Sequence, residues 1–154
     1  MLNATSHHVT RTLGATIVAR AGLCLLVIGS GLALRKFGLG LGLPSPVVKY
    51  GGSILWGTMV FFLVGIAAPA RSPSSIALIS ASIAVCVELF RLVHTPWLDD
   101  FRLTMAGALL LGRVFSPWNM LAYGVGIGLG VLLDRMSALT RIRLSAPDAP
   151  HSAN

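Results

Sequence analysis

Apolar residues fall along this chain in long uncharged runs closed by basic residues, prolines or glycines, and the lengths of those runs predict the elements. A helix rises ~1.5 Å per residue, so crossing ~30 Å of hydrocarbon takes about 20 residues. The run from Tyr50 to Ala70 meets that length without a charged residue. Lys49 and Arg71 close it, Pro69 and Pro73 break the helix, and a span over 50–70 follows. The first run is uncharged only from Ala21 to Leu34, so its span must reach back to 13–34 and take in Arg20. There the long stem can carry the charged head to the headgroups, or the head can face another helix; the sequence favours snorkelling. A third span, 74–94, carries Glu88 and Arg91, and a fourth, 117–133, opens on Pro117, a residue suited to a first helical turn.

Between the last two spans, Asp99, Asp100 and Arg102 precede ten uncharged residues, Leu103 to Gly112. Ten residues reach about 15 Å, half a bilayer. Residues 98–113 are therefore expected as an interfacial or re-entrant half-helix, with Trp97 and Trp118 flanking it at one interface. The fold expected is all-α: a polytopic membrane helix bundle of four transmembrane helices plus that half-helix. The membrane domain covers 13–134, between a polar N-terminal tail, 1–12, and a C-terminal tail, 135–154, basic at first and then disordered.

Composition supports lipid as the solvent. Of 154 residues 55% are hydrophobic and only 11% charged, too few to cover a soluble domain. The net charge of +7 does not point to nucleic acid, because Lys and Arg sit at the edges of apolar runs, where they orient helices. Arg11, Arg71, Arg135, Arg141 and Arg143 share one side, against Arg35, Lys36 and Lys49 on the other, which favours cytoplasmic termini in a bacterial inner membrane. Cys24 and Cys86 lie inside apolar runs with no metal-ligand spacing, and the histidines are scattered; neither a metal nor a cofactor is expected. The segment Arg35 to Lys49, with Gly38, Gly40, Gly42, Pro44 and Pro46, reads as a loop and lacks the strand, helix and Lys-Ser/Thr of a phosphate cradle.

Two features carry candidate chemistry. In the fourth span, Gly124/Gly128 and Gly126/Gly130 form overlapping small-xxx-small pairs that admit a close neighbour, either another helix of this chain or a partner. In the third, helical spacing puts Glu88, Arg91 and Thr95 on one face. The apolar residues there favour insertion by about 2–5 kcal/mol in total and a buried acid opposes it by roughly 2.5–3.5. Glu88 should accordingly be protonated, paired or turned inward. Trp97, Arg102, Asn119 and Tyr123 follow closely enough to converge with Glu88 and Arg91 at one interface, forming either an ion pair that fixes packing or a ligand site. Arg20 lies roughly 10 Å from Glu88 in depth and is a poor partner for it.

The segments GLALRKFG, KYGGSILWGTMVFFL, ELFRLVHTPWLDDFRLTMAGALLLGRVF and MLAYGVGIGLG resemble a bacterial family of small membrane proteins known as domain of unknown function 2809. The resemblance covers about Leu13 to Asp134 and implies a multi-helix membrane fold without an assigned activity. It also implies an acid near Ser53 and near Asn119 and a Gln at position 91, from all of which this chain departs. The order of acid, arginine and glycine-rich last helix is distantly similar to VanZ-like proteins, which implies envelope lipids or cell-wall precursors as the substrate neighbourhood. Three readings follow. One is an amphiphile- or lipid-binding protein using Glu88, Arg91, Trp97, Arg102, Asn119 and Tyr123. Another is a structural or accessory subunit held through the last span. The third is a membrane enzyme on a lipid-linked substrate, for which no nucleophile set is visible.

Overall fold

The computed structural model describes residues 2–104, 107 and 116–145. Among them are five helices and no strand: α1 (Leu2–Phe37), α2 (Ser45–Ala67), α3 (Pro73–Phe90), α4 (Pro96–Leu103) and α5 (Pro117–Ser145). Leu13–Phe37, Ser45–Ala67, Pro73–Phe90 and Pro117–Arg141 are each long and apolar enough to cross a membrane. The chain is thus a multi-pass membrane protein, all-α and with four spans among the described residues, the short α4 lying between the third and fourth.

Proline and capping chemistry set the helix ends. α2 starts at Ser45, earlier than the charge of Lys49 implies, because Pro46 lies in its first turn, where the missing N–H costs nothing. α3 opens with Ser72 as N-cap, its hydroxyl accepting from Ser75 N at 3.3 Å. It stops at Phe90 and does not run on to His94. Thr95 precedes Pro96 and is extended, φ −138° and ψ 147°, as a residue before proline prefers. Thr95 is therefore the N-cap of α4, off the face it was expected to share with Glu88 and Arg91. α4 covers the first part of the expected half-helix. Of the remainder, residues 105, 106 and 108–113 lie outside the described residues. Both polar flanks begin as helix: α1 includes residues from Leu2 onward, and α5 continues past Leu133 to Ser145.

α2 is the centre of the bundle, packing on α1, α3 and α5, while α1 and α5 barely touch. The core holds Cys24, Val27, Phe61, Phe62, Ile76 and Ile127, with the two phenylalanine rings edge-on at 5.6 Å. Only one of the two glycine pairs of α5 faces inward. A Cβ on Gly126 would strike Ile54 O of α2, and one on Gly130 would lie 2.7 Å from the Phe61 ring. Gly124 and Gly128 meet nothing within 4 Å. From α2, Gly57 returns the contact, its would-be Cβ 2.7 Å from Tyr123 O. Thr58, fully buried, ties the pair by donating to Gly126 O at 2.8 Å.

Arg20 departs from the snorkelling expectation. It is 3% exposed and points into the bundle, where Nε and Nη2 bind both carboxylate oxygens of Asp134 at 2.8 and 2.9 Å and Nη1 donates to Gly65 O at 2.7 Å. A bidentate partner at matching depth outweighs the reach to water. Arg20 is seven residues from the start of its span, and Asp134 seven from the end of its own. This clamp is the chief link between α1 and α5. Breaking it on one side leaves a buried charge unpaired. Arg20→Ala and Asp134→Ala should each cost about 3–5 kcal/mol of stability in detergent unfolding, and Arg20→Met with Asp134→Leu should recover most of the loss.

Candidate functional site

The end of α3 carries an acid into the bundle. Glu88 occupies its last turn and is fully buried, and Arg91 is the C-cap residue. Spacing i,i+3 brings them together, with Arg91 Nη1 donating to Glu88 Oε2 at 2.6 Å. The other carboxylate oxygen, Oε1, accepts from Ser116 N at 2.7 Å, directly before the first residue of α5. Helix N-termini present free N–H groups and partial positive charge, so Glu88 acts as an anion held at the start of α5. Asn119 Nδ2 also donates to Oε1, at 3.4 Å.

Arg91 extends the network to Tyr123, one turn beyond Asn119, through Nη2 donating to the phenol oxygen at 2.8 Å. The Tyr123 ring lies 4.8 Å from that of Trp56, and the close approach of its backbone to Gly57 sets its position. On the outer side, Ser53 of α2 donates to Asn119 Oδ1 at 3.4 Å and to Lys49 O at 3.2 Å. A polar path thus runs from buried Glu88 through Asn119 to the exposed first turns of α2. The Glu88–Arg91, Glu88–Ser116 and Arg91–Tyr123 bonds span 2.6–2.8 Å, whereas both side-chain bonds of Asn119 are 3.4 Å, near the limit for a hydrogen bond.

Arg102 belongs to a neighbouring cluster. It is 3% exposed and donates to Phe90 O at 2.8 Å, Val93 O at 2.8 Å and Asp99 Oδ1 at 3.0 Å. A cation on Phe90 O at the end of α3 and on Val93 O in the turn that follows suits the negative end of the helix, and it ties α4 to the end of α3. Among the described residues, Arg102 Nε and Thr95 Oγ1 are buried without a hydrogen-bond partner. Trp97 is 69% exposed and turns away from both clusters. Of the six expected site residues, four, Glu88, Arg91, Asn119 and Tyr123, are directly connected. Ser116 and Ser53 join them; sequence spacing gives no sign of Ser116, because its contribution is a backbone N–H.

The Arg20 and Asp134 clamp lies at the opposite end of the bundle, since α5 runs from Glu88 at its start towards Arg20 near its end. Among the described residues, no group of three or more His, Cys, Asp or Glu side chains is placed to hold a metal ion. The network instead joins a carboxylate, a guanidinium, a phenol and an amide, bonded to one another.

The family model described as protein of unknown function (DUF2809) matches residues 43–127, more than half of the chain. That stretch includes every residue of the Glu88 network and ends before Asp134. No solved structure matches the chain.

The connectivity makes a quantitative statement. In a double-mutant cycle, Glu88→Gln and Tyr123→Phe should couple by about 0.5 kcal/mol or more, because both act on Arg91, whereas Glu88→Gln and Arg20→Gln should add within roughly 0.5 kcal/mol. Equilibrium unfolding of the purified protein in mild detergent measures both.

Proposed function

The chain belongs to the DUF2809 family, and on that premise we propose that it binds an amphiphilic ligand, an envelope lipid or a lipid-linked precursor, at the Glu88 network in a bacterial cytoplasmic membrane. Its termini face the cytoplasm in this reading, as the surplus of arginines at that end favours. The observation that carries it is the slack at Asn119. An ionisable group inside a membrane is held at a cost and marks functional positions. Here the ion pair is tightly bonded, while the amide leading to the interface makes two 3.4 Å contacts that a ligand hydroxyl, amide or phosphate can replace without breaking the pair. Asn119 and Ser53 then take the polar head, Glu88, Arg91 and Tyr123 fix the orientation of that amide, and Trp97 and Arg102 sit further along the same interface.

Native mass spectrometry of protein taken from its own membrane tests the reading. Asn119→Ala and Tyr123→Phe should insert and fold, yet retain a co-purifying amphiphile about tenfold less than the unaltered chain, the equivalent of one hydrogen bond to a charged or well-placed group. Equal retention of the same species in both variants refutes it.

A second reading, an accessory subunit of a membrane complex, draws support from Gly124 and Gly128. These glycines lie open on α5 beside exposed Leu121, Val125 and Leu132. Gly128→Leu should then separate the chain from a partner or second copy in size-exclusion chromatography while leaving its fold intact. Gly126→Leu, which drives a side chain into α2, should destabilise the fold itself by about 1–3 kcal/mol. An elution position unchanged by Gly128→Leu speaks against this reading.

A further inference from the structure

The turn between α1 and α2 is built in a way that a simple connector does not need. Gly38 N donates to Leu34 O, Leu41 N to Phe37 O, Gly42 N to Leu39 O and Leu43 N to Gly38 O, all at 2.9–3.1 Å. Gly42 supplies the positive φ of 80°, and Gly38 packs so closely that a Cβ would collide with Leu34 O and lie 2.9 Å from Val48. This bonded frame turns its apolar side chains outward: Leu41 is 78% exposed, Leu39 60% and Phe37 54%. A turn with four of its backbone N–H groups bonded internally leaves fewer groups that need water, and outward leucines suit the edge of the hydrocarbon.

Beside that frame lies an open groove of about 680 Å³, lined by Ala33, Leu34, Phe37, Leu41 and Leu43, with Lys36 the one charged residue along it. Arg35, Lys36 and Lys49 are exposed at this end of the bundle, and among the described residues no ion pair involves any of them. No Asp or Glu occurs in the sequence between Glu88 and the N-terminus, so these cations have no acid nearby in sequence to neutralise them. We propose that this groove is a binding site for an anionic phospholipid of the host membrane, with an acyl chain along Leu34, Phe37 and Leu41 and the headgroup phosphate at Lys36, assisted by Arg35 and Lys49. The pairing of an apolar trough with Lys36 on its lining, and with Arg35 and Lys49 exposed at the same end of the bundle, matches the two halves of such a lipid. The inference is independent of the Glu88 network and of the direction in which the chain is inserted.

The test uses the full chain in mild detergent, with phosphatidylglycerol and phosphatidylcholine of identical acyl chains in competition and bound lipid counted by native mass spectrometry. The unaltered protein should prefer phosphatidylglycerol. Arg35→Gln with Lys36→Gln and Lys49→Gln should reduce that preference by about tenfold or more, and Lys36→Gln alone by several-fold. Leu41→Asn should lower retention of both lipids. Arg135→Gln with Arg143→Gln, at the far end of the bundle, should leave the preference in place. Phosphatidylcholine held as well as phosphatidylglycerol by the unaltered chain, or a preference that survives the triple change, overturns the site. So does a preference lost in Glu88→Gln but kept in the triple variant, which leaves the Glu88 reading standing. Association of a second copy that blocks lipid at Leu41 overturns it as well.

Discussion

Because Gly57 and Gly126 have no Cβ, α2 and α5 approach until each lies against the backbone of the other, at Tyr123 and at Ile54. Small residues do this work in membranes because lipid supplies no hydrophobic drive to press helices together, and close dispersion contact takes its place. Two of the polar clusters are referred to that contact. α5 carries Asn119 and Tyr123 to the Glu88 end and Asp134 to the Arg20 end, so one helix seated on α2 places the Glu88 and the Arg20 clusters. A small displacement of α5 would unseat Tyr123 from Arg91 and Asp134 from Arg20 together.

Those clusters illustrate how a chain with few acids keeps its charges in a membrane. Glu88, Asp99 and Asp134 are each matched with an arginine, Arg91, Arg102 and Arg20 in turn. Two of the pairs lie within a single segment at i,i+3, and the third spans the bundle. The guanidinium serves well because its remaining donors reach carbonyls at helix ends, Gly65 O for Arg20 and Phe90 O for Arg102. Each arginine thereby also fixes one element against another, in addition to neutralising an acid.

The four spans and their order were legible from run lengths, clearest at Tyr50 to Ala70, since a charge-free stretch near 20 residues has few other uses. The inward turn of Glu88 and its meeting with Arg91, Asn119 and Tyr123 were legible too, through insertion energetics and the one-turn spacing of Asn119 and Tyr123. Thr95 was misplaced because apolar periodicity continues through Leu92 and Val93, whereas Pro96 forces the preceding residue to be extended. Arg20 was misjudged for a different reason. Snorkelling is a property of one helix, but its partner, Asp134, lies 114 residues away on the other side of the expected span boundary. Equal depth from the same end of the membrane was the available signal, and it becomes informative once α5 extends beyond Leu133. The inward and outward halves of the glycine pattern were inseparable in sequence, because 124/128 and 126/130 share the same spacing and only packing against Ile54 and Phe61 tells them apart.

The early end of α3 gives the bundle unequal heights. Its 18 residues extend about 27 Å along the helix axis, while the 23 residues of α2 extend about 35 Å. Beyond Lys49 the uncharged part of α2 shortens to the length of α3, so the bilayer meets about 27 Å of hydrophobic helix at both and accommodates the shortfall from ~30 Å by thinning, at a fraction of a kcal/mol per Å. Membrane thickness thus acts on this chain as a mechanical load. It is felt first at the turn where α3 gives way to α4, the turn that holds Arg91 and the carbonyls bound by Arg102.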